Sequence, residues 1–159
     1  MQKINLVKAI IRYNPVNFTR NFVQGAPSKS QSARYLLLQK AEDKFFPENI
    51  GKWECSGGLV EKGETSKKAI ERKVAEETGL KPNLEFRVIK QLPTITMKDE
   101  NYDSHCDLYL IDASSMNLDL SIEHSDYQWF KAEDVKNQNL VLYANLLLEF
   151  FNNPEMYLN

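Results

Sequence analysis

The chain has little cysteine: two among 159 residues, Cys55 and Cys106. They form no CxxC pair, so neither a zinc ribbon nor a thioredoxin-type redox site can be built from them. Two thiols are too few for a disulfide framework and read as buried thiols of a reducing compartment. Long apolar runs are also lacking, since no stretch approaches the ~20 residues that a membrane span needs. The opening MQKINLVKAIIRYN mixes charge with apolar residues, Lys8 and Arg12 interrupting the run, and does not read as a signal peptide. An excess of one charge is missing as well: 20 Lys and Arg face 22 Asp and Glu, a net charge of −2. Without a global positive field, polymeric nucleic acid is not expected as a partner, whereas a small phosphorylated ligand is compatible. These absences together describe a soluble, cytoplasmic protein with no membrane partner.

What is present suits one globular unit. Apolar residues make up 42% and charged residues 26%, which excludes a disordered or collagen-like chain. At this length, folding can bury roughly 70% of the unfolded chain's surface. Neither an internal repeat nor a linker is visible, and residues 1–159 read as a single domain. Strands are expected over 3–13, 34–40, 53–55, 84–97 (with a break at Pro93), 104–112 and 126–130. Residues 14–32, rich in Asn, Pro, Ser and Gln, read as a long loop of the functional kind. From Ser66 to Thr78 the pattern turns helical, with Gly79 and Pro82 as stop signals. Residues 139–152 are strongly apolar and read as a C-terminal helix over the sheet. The order predicts an α+β fold.

The chemically informative stretch is GGLVEKGETSKKAIERKVAEETGL, from Gly57 to Leu80. Paired glycines end a strand and open a loop that can approach a ligand closely. The helix that follows puts Lys73, Glu76 and Glu77 within an arc of about 100°. Neighbouring carboxylates are hard oxygen ligands suited to Mg²⁺ or Mn²⁺, ions that bridge diphosphate oxygens and polarise water. Glu64 and Arg72 can pair and fix the loop against the helix. Gly58 to Thr65 also spells most of a phosphate loop, but Glu64 stands where that loop needs lysine, and a carboxylate there repels phosphate.

In register, Gly58, Glu64, Arg72, Val74, Glu76, Glu77, Gly79 and Leu80 match a longer pattern: Gly, five residues, Glu, seven residues, Arg-Glu, an aliphatic, any residue, Glu-Glu, any residue, Gly, an aliphatic. The stretch resembles the signature box of the Nudix hydrolase family, and the resemblance extends over roughly residues 3–135. It implies an α/β/α sandwich with a mixed sheet. It also implies metal-dependent hydrolysis of a diphosphate linkage in a nucleoside di- or triphosphate derivative, a small nucleotide-type substrate. On that resemblance Gly57, Glu76, Glu77 and Glu123 are the metal candidates, with Mg²⁺ or Mn²⁺ as the ion. Arg72 and Glu64 complete the catalytic set by shaping the loop.

One box position departs: Lys73 stands where the family has a glutamate that binds metal or acts as base. Lys73 can pair with Glu76 or Glu77 and fill the metal's place electrostatically. Glu71 cannot stand in, because on a regular helix it points more than about 110° from both. A second reading therefore stands beside hydrolysis: a Nudix-fold binding or regulatory module with weak or no turnover. The base stays open among Glu123, Asp126, Asp99, Glu100 and Asp103. His105 and His124 read as structural or surface residues, and Cys55 as a core residue. Phe18, Phe22, Phe45, Phe46, Tyr102 and Tyr127 read mostly as packing, with base stacking as the alternative. The stripe Leu140, Tyr143, Leu147, Phe150 and Phe151 fits either core or a homodimer face.

Overall fold

The computed structural model describes residues 1–15 and 33–158, apart from the side chains of Tyr143 and Leu146. Most of the loop expected over 14–32, including Phe18 and Phe22, lies outside the described residues. Among the described residues seven strands form one mixed sheet: β1 (Gln2–Tyr13), β2 (Arg34–Lys40), β3 (Trp53–Glu54), β4 (Gly57–Leu59), β5 (Phe86–Lys98), β6 (Tyr102–Ala113) and β7 (His124–Lys131). Strand β1 is the hub. It runs parallel to β6 from Gln2↔Tyr102 to Tyr13↔Ala113, and antiparallel to β4 and β2. Beyond β2 lie β3 and β7, and beyond β6 lies β5. β5 does not break at Pro93. It continues through a register shift between Leu92 and Ile95, an irregularity that tolerates the missing N–H of proline.

Alternation along the strands feeds two cores. Val7, Ala9 and Ile11 face one side with Leu36 and Leu38, packing under Ala69, Ile70 and Val74 of helix α1 (Ser66–Thr78). Ile10, Tyr35, Leu37, Leu108 and Leu110 face the other side, under the C-terminal elements. These are the helices α2 (Ala132–Val135), α3 (Leu142–Leu146), α4 (Leu148–Asn152) and α5 (Glu155–Leu158). The architecture is an α/β/α sandwich with a mixed sheet.

The apolar segment over 139–152 is not one helix. Its first residues pair with β3: Trp53 N–H donates to the Asn139 carbonyl at 2.8 Å and Val141 N–H to the Trp53 carbonyl at 3.1 Å. Helix begins only after this pairing and divides at Leu147, whose N–H donates to the Ala144 carbonyl at 3.0 Å, a tightened turn. The tightening keeps Leu147, Phe150 and Phe151 all buried. Tyr35 packs edge-to-face on both phenylalanines, with centroids 5.8 and 5.6 Å away. Leu140, Leu147, Phe150 and Phe151 are thus covered within the chain. Truncating one ring leaves a cavity in this layer. Phe151→Ala is expected to cost about 3–5 kcal/mol, read as a lower urea midpoint with an unchanged slope.

Candidate active site

Helix α1 is set by its ends. Thr65 accepts from Lys68 N–H at 3.2 Å to cap the N-terminus, and Gly79 closes the C-terminus in the left-handed conformation at φ 73°. Ile70, Val74 and Glu77 fall on one stripe, so the spacing that buries the aliphatics also carries Glu77 under the sheet edge. There Glu77 Oε1 accepts from Ser56 Oγ at 2.9 Å and from Gly57 N–H at 2.8 Å. Gly57 lies so close to β1 that a Cβ would meet the Val7 carbonyl oxygen at 2.0 Å, and only glycine fits. Burial pushes the Glu77 carboxyl above the usual carboxylate range, with His124, Lys8 and Lys73 pulling it partly back.

Glu76, one residue earlier, is in different surroundings. Its side chain is 53% exposed and lies 3.4 Å from Arg72 Nη1 and 3.8 Å from Lys73 Nζ. The Arg72–Glu64 pair forms as the spacing predicts: Nη2 to Oε1 is 2.7 Å and Nε to Oε2 is 3.2 Å, a two-pronged contact. Arg72 Nη2 also donates to the Leu59 carbonyl at 3.2 Å, and Glu64 accepts from Glu61 N–H at 2.7 Å. The loop between β4 and α1 is therefore tied at both ends to one guanidinium.

Beneath Glu77 lies a charged layer that sequence reasoning missed. Glu54 is buried and receives Lys8 Nζ at 2.8 Å, Lys40 Nζ at 3.0 Å and a contact from His124 Nε2 at 3.2 Å. Burial opposes its ionised form, yet Lys8, the His124 hydrogen bond and Lys40 outweigh that and hold Glu54 well below the usual carboxylate range. Burial likewise disfavours the Lys8 ammonium, but Glu54 and Glu77 more than restore it and its pKa is raised. Lys8 also donates to the Cys55 carbonyl at 3.1 Å. The one available signal was the lysine interrupting LVKAII; Glu54 and His124 gave none.

Glu123 and His124 arrive from the start of β7. Each of Glu77, Glu123 and His124 offers one ligand atom, all within 4.8 Å of one another, and among the described residues this is the group able to hold an ion. Lys73 Nζ stands 3.9 Å from Glu123 Oε2, between that acid and Glu76. The rival acids have other partners: Asp99 accepts from the Asn101 and Tyr102 amides, Asp103 lies 3.2 Å from His105 Nε2, and Asp126 accepts from Tyr127 N–H. Glu100 is exposed. His124 is buried, not at the surface, and Phe45 is 85% exposed rather than packed.

A carboxylate-bearing helix over a glycine turn, on an α/β/α sandwich, is the arrangement of a hydrolase of phosphoanhydride bonds. The NUDIX domain model matches residues 25–149, and the chain belongs to that family. It is 37% identical over 124 residues to a protein of Klebsiella pneumoniae (strain 342) named nucleoside triphosphatase NudI, covering 72% of this chain and 84% of that one. Identity to the protein of the same name from Escherichia coli O81 (strain ED1a) is 34% over 122 residues, with the same coverage. In fold it resembles the crystal structure of a Nudix hydrolase from M. smegmatis, RenU, at a TM-score of 0.72 and 16% identity, over 98% of this chain and 88% of that chain. It also resembles the NUDIX domain of Shewanella oneidensis NrtR complexed with ADP ribose, at a TM-score of 0.68 and 21% identity, over 98% and 90%.

Cys55 and Cys106 are free and buried. Burial pushes their thiols up to about 12 and about 11, so the reactive thiolate is scarce at neutral pH. Neither cysteine is expected to react with iodoacetamide at pH 8 in the native protein, and both are expected to react in guanidinium chloride, as counted by mass spectrometry.

Proposed function

We propose that the chain hydrolyses a phosphoanhydride bond of a nucleoside triphosphate-type substrate, with a divalent ion, Mg²⁺ or Mn²⁺, held by Glu77 and Glu123 with Glu76 and the Gly57 carbonyl as further candidates. The observation that carries this reading is the convergence of Glu77, Glu123 and His124 on one point beside the glycine turn. The printed name of the curated relatives, nucleoside triphosphatase, supports the substrate class. When bound, the ion would neutralise phosphate charge and lower the pKa of a water. The chain's own part is positional. Ser56 and Gly57 fix one oxygen of Glu77 and leave the other facing the site, while Arg72 and Glu64 hold the loop beside it. Free buried thiols fit a cytoplasmic setting.

A second reading is favoured by Lys73. Its ammonium already neutralises Glu76 and Glu123 where the family's glutamate adds a negative charge, which lowers the site's capacity for cations. A nucleotide-binding module with weak turnover follows from that. Phosphate and pyrophosphate release from the nucleoside triphosphates, with Mg²⁺ and with Mn²⁺, separates the two. Hydrolysis is expected in the wild type and a loss of about 100-fold or more in Glu77→Gln. A silent wild type together with an active Lys73→Glu would establish the binding module instead.

A further inference from the structure

His124 is buried at the start of β7, its side chain 2% exposed, and its two nitrogens have different neighbours. Nε2 meets Glu54 Oε2 at 3.2 Å. Glu54 is ionised against Lys8 and Lys40, and an ionised carboxylate only accepts, so the proton on that side belongs to Nε2. When the ring carries only that proton, Nδ1 is a lone pair. Among the described residues it has no hydrogen-bond partner, although it is shielded from water. It faces Glu77 Oε2 at 3.6 Å, beyond hydrogen-bond length, and that oxygen is an acceptor too. Two acceptors turned toward each other in a buried site call for a cation against both. Glu123 supplies a third ligand atom from the solvent side, and its exposed side chain can turn to close the set.

We propose that His124 Nδ1 is a nitrogen ligand of the divalent ion, with Glu77 and Glu123, and that the site therefore takes a first-row transition ion such as Mn²⁺, Co²⁺ or Ni²⁺ in preference to Mg²⁺. The inference rests on the metal-dependent reading above and deepens it. Imidazole suits later first-row ions, whereas Mg²⁺ is served by oxygen alone and keeps its waters. Glu54 completes a carboxylate–histidine–metal relay: by accepting from Nε2 it fixes the tautomer and the orientation of the ring. Lys8 and Lys40 act one step further out, keeping Glu54 an acceptor. Ser56 and Gly57 play the matching part for Glu77, occupying Oε1 so that Oε2 is the oxygen left for the ion.

The test is pulsed electron paramagnetic resonance on the protein loaded with one equivalent of Mn²⁺, alongside calorimetric titration with Mn²⁺ and Mg²⁺. Modulation from a coordinated imidazole nitrogen is expected in the wild type, with Mn²⁺ bound at least about tenfold more tightly than Mg²⁺. His124→Gln is expected to abolish the nitrogen signal and to lower Mn²⁺ affinity about 10–100-fold. Should that variant fail to fold, Glu123→Gln, at an exposed position, is expected to weaken Mn²⁺ binding while keeping the nitrogen signal. Bound Mn²⁺ with oxygen ligands only, no preference over Mg²⁺, or no Mn²⁺ binding would overturn the proposal. So would a bridging imidazolium, seen by nitrogen NMR as a doubly protonated ring that Mn²⁺ does not displace. Phosphate release distinguishes this from the functional reading. Turnover with Mg²⁺ and no nitrogen coupling removes the ligand and leaves the hydrolase, whereas coupling without turnover does the reverse.

Discussion

Glu54 is the charge around which the site is built. Its carboxylate lies inside the protein and is tolerable there only because Lys8, Lys40 and His124 all reach it. Those four side chains belong to β3, β1, β2 and β7, so one buried anion ties four strands at the point where the helix meets the sheet. Such a cluster gains little net stability over apolar packing, since desolvation offsets much of the attraction. What it does supply is orientation, because removing any partner would leave an uncompensated charge in a dry place. The imidazole of His124 is aimed by that constraint, its Nε2 meeting Glu54 Oε2.

The two neighbouring acids of α1 illustrate how one helix makes two environments. Glu77 shares the buried stripe with Ile70 and Val74, loses its hydration, and is compensated by the Ser56 hydroxyl and the Gly57 amide. Glu76, rotated about 100° away, keeps its water and shares Arg72 and Lys73. A carboxylate stripped of water and held by dipoles is the stronger partner for a cation, because less hydration remains to be displaced. The lysine beside them reduces the negative field of the whole face.

Local signals made much of the fold legible. The helix Ser66–Thr78 announces itself through its helical pattern and a glycine stop, and the strands β1, β2 and β6 are equally plain from their apolar and β-branched runs. The box pattern brought Glu64, Arg72, Glu76 and Glu77 into view because they are close in sequence. Lys8, Glu54 and His124 were not legible, since they meet only through strand pairings between distant segments. The division of the C-terminal segment at Leu147 was hidden for a related reason. Its apolar run looks uniform, and only the pairing of Asn139 and Val141 with Trp53 delays the helix. β4, three residues long, has no alternation to detect.

The parallel pairing of β1 with β6 carries a kinetic consequence. Arg12 and Asp112 are joined at 2.8 Å although 100 positions separate them, and the edge of β1 that pairs along its whole length finds its partner only at that remove. During synthesis the hub strand, apolar from Val7 to Ile11 save for Lys8, must wait for Tyr102–Ala113 before its β6 edge is covered. Non-local closure of this kind slows folding and prolongs exposure of an unpaired strand edge. A lysine in the middle of that run then has a second use, as a gatekeeper that discourages nascent chains from pairing with one another before Glu54 arrives to bury it.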